Sequence, residues 1–325
     1  MRKVCMVILC IIVLIFLIPI IFTTRRTLDT ALTDIELVDY DYSKYKTIKL
    51  LHKDKNEVEE VNLDEYITNV VSAEMPVTYD LEALKSQAIV ARTYTIYKIT
   101  SSKKHENADI CDKSTCCQAW ISKEDRFKRW DEDKGTENWN KIVQAVNETV
   151  GKIITYEGKP INAFFHANSG GKTEVPFYVW GGNGYPYLQV VETSGEENYS
   201  QYKSEVKFAK EEFVEKVKKE HEDFEIDFEE EKCIEIIERD DSNRVVTVKI
   251  GNLKLSGVET RTLLGLRSAN FTIEINKDEI LFKVIGYGHG VGMSQTGADS
   301  LAKQGKNYEE IIKHFYTGVE IIEMN

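Results

Sequence analysis

An uncharged apolar run close to the N-terminus constrains this chain most. Residues 4–22, VCMVILCIIVLIFLIPIIF, carry no charge, and a helix of about this length crosses a lipid bilayer. Two basic residues stand on each side of the run, so the charge difference does not decide its orientation. No Ala-x-Ala pattern follows Phe22, unlike in a cleaved secretory signal. The sequence therefore predicts an uncleaved anchor at 4–22, a short cytoplasmic end at 1–3 and an extracytoplasmic remainder.

The rest of the chain has the composition of a folded domain. Hydrophobic residues make up 42% of the chain and only five residues are proline, so the remaining ~300 residues can bury a core. The net charge is −12 at pH 7 with no basic stripe, which argues against nucleic acid as a partner. We expect a tether at 23–41 and an α+β domain with a substrate cleft at 42–325. A helix- and β-rich insertion is expected around 195–285.

Hydrophobic periodicity and turn residues predict the order of elements in this domain. A strand at 45–51 and a second before Val61 precede a helix that Asp64 caps and that Pro76 stops after Met75. The further predicted elements are a helix from Asp80, a helix at 139–150, a hairpin at 152–168, a charged helix at 205–222, a short helix at 258–265, a helix at 308–316 and a final strand.

Glu74 is a candidate acid in the motif SAEMP at 72–76. It falls in the last turn of a predicted helix, where the negative end of the helix dipole disfavours a carboxylate. Partial burial would also raise its pKa. A carboxyl group with a raised pKa can serve as a general acid near neutral pH. The alternative is an exposed residue at the end of a helix.

Other polar residues are candidates for contacting a substrate in the same cleft. Gln87 and Arg92 stand in the mostly apolar helix LEALKSQAIVARTYTIY, and ordinary surface polarity is the alternative. Ser169 stands beside a Gly-Gly turn in FFHANSGGKTE, where exposed backbone N–H groups can receive a ligand hydroxyl. His166 is either a cleft residue or a satisfied strand histidine. His289 lies in GYGHGVG, where alternate glycines allow a close approach of the backbone.

Three of the six cysteines crowd into the loop HENADICDKSTCCQAW at 105–120. Together with His105, the thiols of Cys111, Cys116 and Cys117 offer the N and S donors of a closed structural zinc site. A disulfide is the second reading, although any pairing leaves one thiol over and a vicinal bond between Cys116 and Cys117 would be strained. A loop with no special role is the third.

Four motifs in one order give a family resemblance. They are AEMP at 73–76, QAIVARTY at 87–94, FFHANSGGKT at 164–173 and GYGHGVGMSQTGA at 286–298. Together they resemble the stage II sporulation protein D family, whose members are membrane-anchored peptidoglycan lytic transglycosylases of endospore-forming bacteria. The resemblance extends over nearly all of residues 45–320, and the N-terminal apolar run also fits it.

The resemblance implies roles for individual residues. It makes Glu74 the catalytic acid and places Gln87 and Arg92 among the functionally important residues of the next helix. A glycan-binding tyrosine of the family matches Tyr187 in GYPYLQ. The family often has a lysine two residues after that tyrosine, whereas this chain has Gln189.

Clostridial members of the family also resemble this chain in the cysteine loop. Their zinc-binding pattern reads His, then Cys, then His-Cys before Gln-Ala-Trp. It falls on His105, Cys111, Cys116 and Cys117, with a cysteine in place of the second histidine. The resemblance therefore implies one zinc ion, which would be structural.

The resemblance further implies the reaction and its setting. Glu74 would give a proton to the glycosidic oxygen between MurNAc and GlcNAc and then take one from the 6-hydroxyl of the sugar, leaving 1,6-anhydro-MurNAc. The implied substrate is glycan stripped of stem peptides, cleaved during engulfment at the cell membrane, with the domain on the wall side. The implied protein partners are stage II sporulation proteins P and M. A muramidase using water, a zinc-dependent wall hydrolase and a non-enzymatic glycan-binding scaffold stay open as alternatives.

Overall fold

Helices and short strands alternate along the part of the chain that the computed structural model describes, which is residues 41–101, 103–182 and 184–324. The predicted mixture of helix and strand is confirmed. The predicted anchor at 4–22 and nearly all of the tether at 23–41 lie outside the described residues. Within the described residues, no helix is both long enough and apolar enough to cross a membrane.

Most of these elements are short. The helices of the described residues are α1 (Leu63–Glu74), α2 (Leu81–Ser101), α3 (Lys123–Phe127), α4 (Gly135–Asn147), α5 (Pro176–Trp180), α6 (Lys210–Lys218), α7 (Gly257–Leu264), α8 (Gln295–Lys303) and α9 (Tyr308–Phe315). The strands are β1 (Thr47–His52), β2 (Glu57–Asn62), β3 (Ile110–Cys111), β4 (Lys152–Tyr156), β5 (Lys159–Pro160), β6 (Phe165–His166), β7 (Lys203–Ala209), β8 (Ile234–Arg239), β9 (Val245–Ile250), β10 (Leu253–Ser256), β11 (Phe271–Ile275), β12 (Glu279–Ile285), β13 (Met293–Ser294) and β14 (Glu320–Glu323). They form small sheets in the orders β2-β1-β3, β14-β4-β5, β13-β6, β11-β12-β7 and β10-β9-β8.

Helix α1 begins earlier than the sequence predicts. The side chain of Asn62 caps it by accepting hydrogen bonds from two N–H groups of the first turn, at 2.9 and 3.2 Å. The prediction that Asp64 is the cap is wrong, because the Asn62 amide already satisfies these free N–H groups. The predicted stop is confirmed. The helix ends at Glu74, and Met75 is extended, as the residue before a proline usually is (here Pro76).

The segment 205–222, predicted as one charged helix, is a strand followed by a helix. Strand β7 pairs antiparallel with β12, and α6 starts only at Lys210. Side chains alternate along β7, so that Phe208 is buried while both of its neighbours are exposed. Pairing with a strand much later in the sequence overrides the local helical pattern.

The hairpin predicted at 152–168 forms only in its first half. Strands β4 and β5 pair around a turn at Glu157 and Gly158, whose φ angles are 50° and 71°. Pro160 has no N–H to donate, which weakens the ladder at the end of β5. Strand β6 then leaves this sheet and pairs parallel with β13.

The other predicted elements are confirmed with small shifts at their ends. Helices α2, α7 and α9 start within one residue of their predicted first residues, and β14 is the predicted final strand. The helix predicted at 139–150 is α4, which begins at Gly135. Its first turn reads GTEN, and because these residues are all small or polar they carry no periodic apolar signal.

Two hydrophobic cores organise the described residues. The larger core is built from α1, α2, α4, α8, α9 and the strands beside them. The second core is built from α6, α7 and strands β7 to β12. Phenylalanines fill this second core, and the rings of Phe213 and Phe282 stack with their centroids 6.2 Å apart. Residues 203–285 therefore bury apolar side chains among themselves.

Helix α2 lies at the centre of the larger core. Every residue from Ala83 to Ile96 except Lys85 is buried. Because a buried polar group needs a hydrogen-bond partner inside the protein, the polar residues of this helix tie it to the elements around it.

Arg92 has the largest of these buried polar side chains. Its guanidinium donates to the backbone carbonyls of Thr149 and Lys152, at 2.8 and 3.3 Å. It also forms an ion pair with Asp64, at 3.1 Å. Arg92 thus joins α2 to α1 and to the turn between α4 and β4.

Replacing Arg92 by Met should lower the free energy of unfolding by about 2–4 kcal/mol. The change removes the cation that pairs with the partly exposed Asp64 and a buried donor to two backbone carbonyls, and such losses are costly inside a protein. Urea unfolding measures it, and Arg129→Met, at an exposed position, is the matched control. A loss no larger than that of the control would show that Arg92 does not support the fold.

Candidate functional site

An open cavity of about 1210 Å³ lies beside the C-terminal end of α1. We call it the central cavity, and it is lined by the end of α1 from the larger core and by α7 from the second. The residues that matter for its chemistry are Glu74, Tyr94, Lys98, Lys104, Cys116, Cys117, Arg126, Phe164, His166, Trp180, Tyr185, Arg261, Tyr287, His289 and Gln295.

Glu74 is the acidic group of this cavity. The backbone N–H of Ala119 donates to its Oε1 at 2.7 Å, and the side-chain amide of Gln295 donates to its Oε2 at 3.3 Å. Burial raises the pKa of Glu74 above its usual value, although the two hydrogen bonds oppose the shift. The predicted direction of the pKa shift is confirmed, and its main cause is burial.

Gln87 reaches Glu74 only through another residue. It is fully buried on α2, and its Oε1 accepts a hydrogen bond from Gln295 at 3.4 Å. Gln295 lies at the first position of α8 and contacts both Glu74 and Gln87. Sequence reasoning missed Gln295, because nothing local links it to residues more than 200 positions earlier.

Besides Gln87, three more residues expected to contact a substrate lie outside the lining of the cavity. Arg92 is fully buried and bonded as described above. Tyr187 is 7% exposed, and its hydroxyl accepts a hydrogen bond from the N–H of Asn162 at 3.0 Å. Ser169 is 1% exposed, and its hydroxyl donates to the carboxylate of Glu196. Their placement does not support direct contact with a ligand in the cavity, because internal partners occupy their polar groups.

The buried carboxylate of Glu196 fixes the wall that carries Gln295. Its Oε1 accepts hydrogen bonds from the hydroxyl groups of Ser294 and Thr296, the residues on either side of Gln295. Its Oε2 accepts from the N–H of Gly171 at 3.0 Å. Burial alone would raise the pKa of Glu196, but these and further hydrogen bonds hold it below its usual value. Sequence reasoning missed Glu196, since SGEEN reads as an ordinary polar turn.

Two histidines line the opposite part of the cavity as neutral rings. Nδ1 of His289 accepts a hydrogen bond from the N–H of Val291 at 3.0 Å, and burial lowers its pKa well below the usual value. Burial also lowers the pKa of His166, to about 3. Nδ1 of His166 lies 3.1 Å from the Val291 carbonyl and so carries the proton. Nε2 of His166 is then an acceptor, and it has no partner within the described residues.

The cysteine loop brings its four candidate ligands together. The ligand atoms of His105, Cys111, Cys116 and Cys117 all lie within 4.8 Å of one another. Nε2 of His105 is 3.4 Å from Sγ of Cys117 and 3.8 Å from Sγ of Cys116, and the two sulfurs are 4.0 Å apart. Ligand atoms of a tetrahedral zinc ion lie about 3.5–3.8 Å apart. The four residues therefore fit zinc.

These cysteines form no disulfide bond. The disulfide interpretation of the loop is therefore wrong. A tight turn makes the adjacent pair possible, because the N–H groups of Cys116 and Cys117 both point at the carbonyl of Lys113, at 3.0 and 2.7 Å. Cys111 is held separately on β3, which pairs with β1.

The cysteine loop leads directly to Glu74. Ala119, whose N–H contacts the Glu74 carboxylate, stands two residues after Cys117. Between them, the buried side chain of Gln118 donates to the hydroxyls of Tyr66 and Thr95, at 3.2 and 3.1 Å. These hydrogen bonds hold the loop between α1 and α2. The loop in turn positions the N–H of Ala119 against the Glu74 carboxylate.

Comparison with known proteins shows which family the chain resembles. The profile described as Stage II sporulation protein matches residues 52–156, and a domain of unknown function (DUF8618) matches 187–292. Stage II sporulation protein D of Bacillus amyloliquefaciens is 36% identical over 280 residues, which cover 85% of this chain and 79% of that protein. The protein of the same name from Bacillus subtilis (strain 168) is 35% identical over 269 residues, or 82% and 76%.

A third relative, an uncharacterized protein of Brachyspira hyodysenteriae, is 32% identical over 281 residues, which cover 82% of this chain and 68% of that protein. Matches of this extent define a sporulation protein. The chain belongs to the stage II sporulation protein D family. The resemblance that the four motifs indicate is confirmed.

Because the pKa of Glu74 is raised, the effect of Glu74→Gln on the free energy of unfolding should depend on pH. The folded protein binds the proton of Glu74 more tightly than the unfolded chain, so its ionisation destabilises the fold as pH rises above 4.5. Glu74→Gln cannot ionise. Its free energy of unfolding, relative to that of the unchanged protein, should therefore increase from pH 4.5 towards neutral pH.

Urea unfolding at a series of pH values measures this difference. Glu60→Gln is the control, because Glu60 is exposed on β2. A relative stability of Glu74→Gln that stays flat or falls with rising pH would contradict the raised pKa.

Proposed function

We propose that this protein is a lytic transglycosylase that cleaves the β-1,4 bond between MurNAc and GlcNAc in peptidoglycan. The observation that supports this most is that Glu74 is the one carboxylate among the described residues lining the central cavity. A glycosidase that uses water needs two carboxyl groups, about 5–9.5 Å apart. A transglycosylase needs one, because a hydroxyl of the substrate is the nucleophile.

In the proposed reaction Glu74 starts protonated, which its raised pKa favours. It gives its proton to the glycosidic oxygen as the bond from that oxygen to C1 of MurNAc breaks. The 6-hydroxyl of the same MurNAc then attacks C1, and the Glu74 carboxylate takes the hydroxyl proton. The products are a 1,6-anhydro-MurNAc end and a GlcNAc with a free 4-hydroxyl, and Glu74 is protonated again.

The neighbours of Glu74 suit both halves of this cycle. The Ala119 N–H and the Gln295 amide would stabilise the carboxylate after it has lost its proton. Gln87 would hold Gln295 in place from behind. Arg92 and Tyr187, the other residues that the resemblance singles out, would act by supporting the walls of the cavity, since both are buried.

We propose that the ligands His105, Cys111, Cys116 and Cys117 bind one zinc ion with a structural role. Three thiolates and one imidazole would complete a tetrahedral shell and leave no open position for a reacting group. When bound, the ion would supply a fixed cross-link across the loop. That cross-link would hold Ala119 against Glu74.

The family relationship suggests the setting. We propose that residues 4–22 anchor the protein in the cell membrane and that its domain acts on the wall side during engulfment. The substrate would be glycan stripped of stem peptides, and stage II sporulation proteins P and M would be its protein partners. We propose no role for nucleic acid.

Replacing Glu74 by Gln should abolish the release of fragments with 1,6-anhydro ends. General acid–base catalysis contributes a factor of about 100 to 10,000, so a loss of that size is expected. Mass spectrometry of fragments from purified peptidoglycan measures it, with Glu60→Gln as the control. Reducing ends from the unchanged protein would favour a muramidase, and glycan binding without any product would favour a scaffold.

Replacing Cys116 by Ser should reduce the zinc content of the purified protein below one ion per chain. The lost thiolate weakens the metal site, and a structural site couples metal binding to folding. Elemental analysis measures the zinc, and Cys233→Ser, at a buried cysteine outside the cluster, is the control. Undiminished zinc would remove Cys116 from the site.

Removing the zinc with a chelator separates a structural from a catalytic ion. We expect the melting temperature and the activity to fall together. Loss of activity at an unchanged melting temperature would indicate a catalytic metal.

A further inference from the structure

The central cavity is basic in an acidic protein. The chain has a net charge of −12, yet four basic side chains and one carboxylate line the cavity. The basic residues are Lys98, Lys104, Arg126 and Arg261. Within the described residues none of the four forms an ion pair with a carboxylate. Unpaired positive charge in a cavity favours an anionic ligand.

Three of the four basic side chains already have partners within the protein, one of them in the cysteine loop. Lys104 donates to the carbonyl of Cys116 at 2.8 Å. Lys98 lies over the ring of Tyr94, with its Nζ 5.1 Å from the centroid. Arg126 lies over the ring of Trp130 at 4.9 Å. Thiolates in that loop would also offset part of this positive charge.

Arg261 is different, because it reaches the cavity from the second core. It stands on α7, and its one hydrogen bond to the described residues is a long contact from Nε to the carbonyl of Leu266, at 3.4 Å. The terminal nitrogens of its guanidinium have no protein partner within the described residues. Burial and the neighbouring cation Arg244 lower the pKa of Arg261. An anion beside Arg261 would stabilise its charged form.

Two acidic groups close to Arg261 already have other partners. Glu174 and Asp240 share a smaller cavity with it. The hydroxyl oxygen of Ser242 lies 2.5 Å from Glu174 and 2.6 Å from Asp240, and the N–H of Arg244 donates to Asp240 at 2.9 Å. These contacts leave the guanidinium of Arg261 available to a ligand.

The surroundings of Arg261 suit a sugar ring. The Trp180 side chain is 51% exposed, and Phe164 and His289 support its ring, with centroids 4.6 and 5.0 Å away. An exposed, rigid aromatic face can hold the apolar face of a pyranose. Nε2 of His166 is buried, unpartnered and on the cavity wall, so it can accept a hydrogen bond from a hydroxyl.

One sugar of peptidoglycan matches this set of groups. Muramic acid carries a lactyl ether whose carboxylate is free only where the stem peptide has been removed. With the peptide attached, the same carbon is an amide and carries no charge. A guanidinium at this position therefore distinguishes the stripped sugar from the substituted one.

Building on the function proposed above, we propose that Arg261 binds the free lactyl carboxylate of a stripped MurNAc residue, and that Trp180 and His166 hold the same sugar. Arg261 is then a specificity residue, since it contributes to binding of the stripped glycan and takes no part in proton transfer.

Binding to a protein that cannot cleave tests this proposal. We use the full chain with Glu74→Gln and three probes: stripped glycan, the same glycan with its lactyl carboxylates converted to methylamides, and a chito-oligosaccharide of equal length. The backbone is the same in all three, and only the first is charged. We expect the stripped glycan to bind about tenfold more tightly than the other two, as for a charged hydrogen bond at a partly exposed site.

Arg261→Gln in the same protein should remove most of this tenfold preference and leave binding of the two uncharged probes unchanged. Arg261→Lys should keep part of it, because it keeps the charge. Lys254→Gln, at an exposed position outside the cavity, is the control for a lost surface charge. Melting temperatures confirm that each variant is folded.

Failure of this proposal can be told from failure of the proposed function. Suppose that the unchanged protein releases 1,6-anhydro ends but Arg261→Gln keeps the full preference for the charged glycan. Arg261 then does not recognise the lactyl carboxylate. Equal weakening of all three probes by Arg261→Gln would overturn the proposal as well. If the charge preference depends on Arg261 but no anhydro ends form, the carboxylate site stands and the transglycosylase function fails.

Discussion

The buried polar side chains of helix α2 are the constraint on which the rest of the site depends. A helix surrounded by protein cannot leave these groups to water, so each needs an internal partner. Arg92 binds α1 and the turn before β4. Thr93 accepts the N–H of Ile154 at 2.9 Å, and Thr95 accepts the side chain of Gln118. Gln87 is bonded to Gln295. Through these contacts α2 fixes the walls of the central cavity that carry the groups around Glu74.

This arrangement would let one carboxyl group serve as both acid and base in the proposed reaction. Burial favours the protonated form of Glu74, while the N–H of Ala119 and the amide of Gln295 keep the ionised form tolerable. Neither donor is itself a charged group, so the carboxyl is not locked into one state. The loop that would hold zinc and the wall fixed by Glu196 each supply one of the two donors. Substitutions in the cysteine loop or in the wall around Glu196 would therefore change the pKa of Glu74 through these two hydrogen bonds.

The two cores contribute different chemistry to one cavity. The larger core supplies the acid and its donors, which suits bond cleavage. Helix α7, which packs in the second core, carries Arg261, and His289 and Tyr287 line the same cavity, which would suit recognition. In the proposed function, this separation would keep the charge that attracts a glycan away from the group whose pKa burial raises. A cation in direct contact with Glu74 would lower that pKa and weaken it as an acid.

The sequence by itself determined the class of fold, most helix positions, Glu74 as the candidate acid and the four candidate ligands of the cysteine loop. These features depend on local patterns, such as a helix stopped before Pro76 or three thiols and an imidazole in one short loop. Tertiary structure alone decided that Arg92, Tyr187 and Ser169 are buried, that 203–209 is a strand, and that Gln295, Glu196 and Arg261 matter. Each of these follows from contacts between distant parts of the chain. The physical reason is that burial, and the partners and pKa shifts that it forces, depend on what packs against a residue and not on its neighbours in sequence.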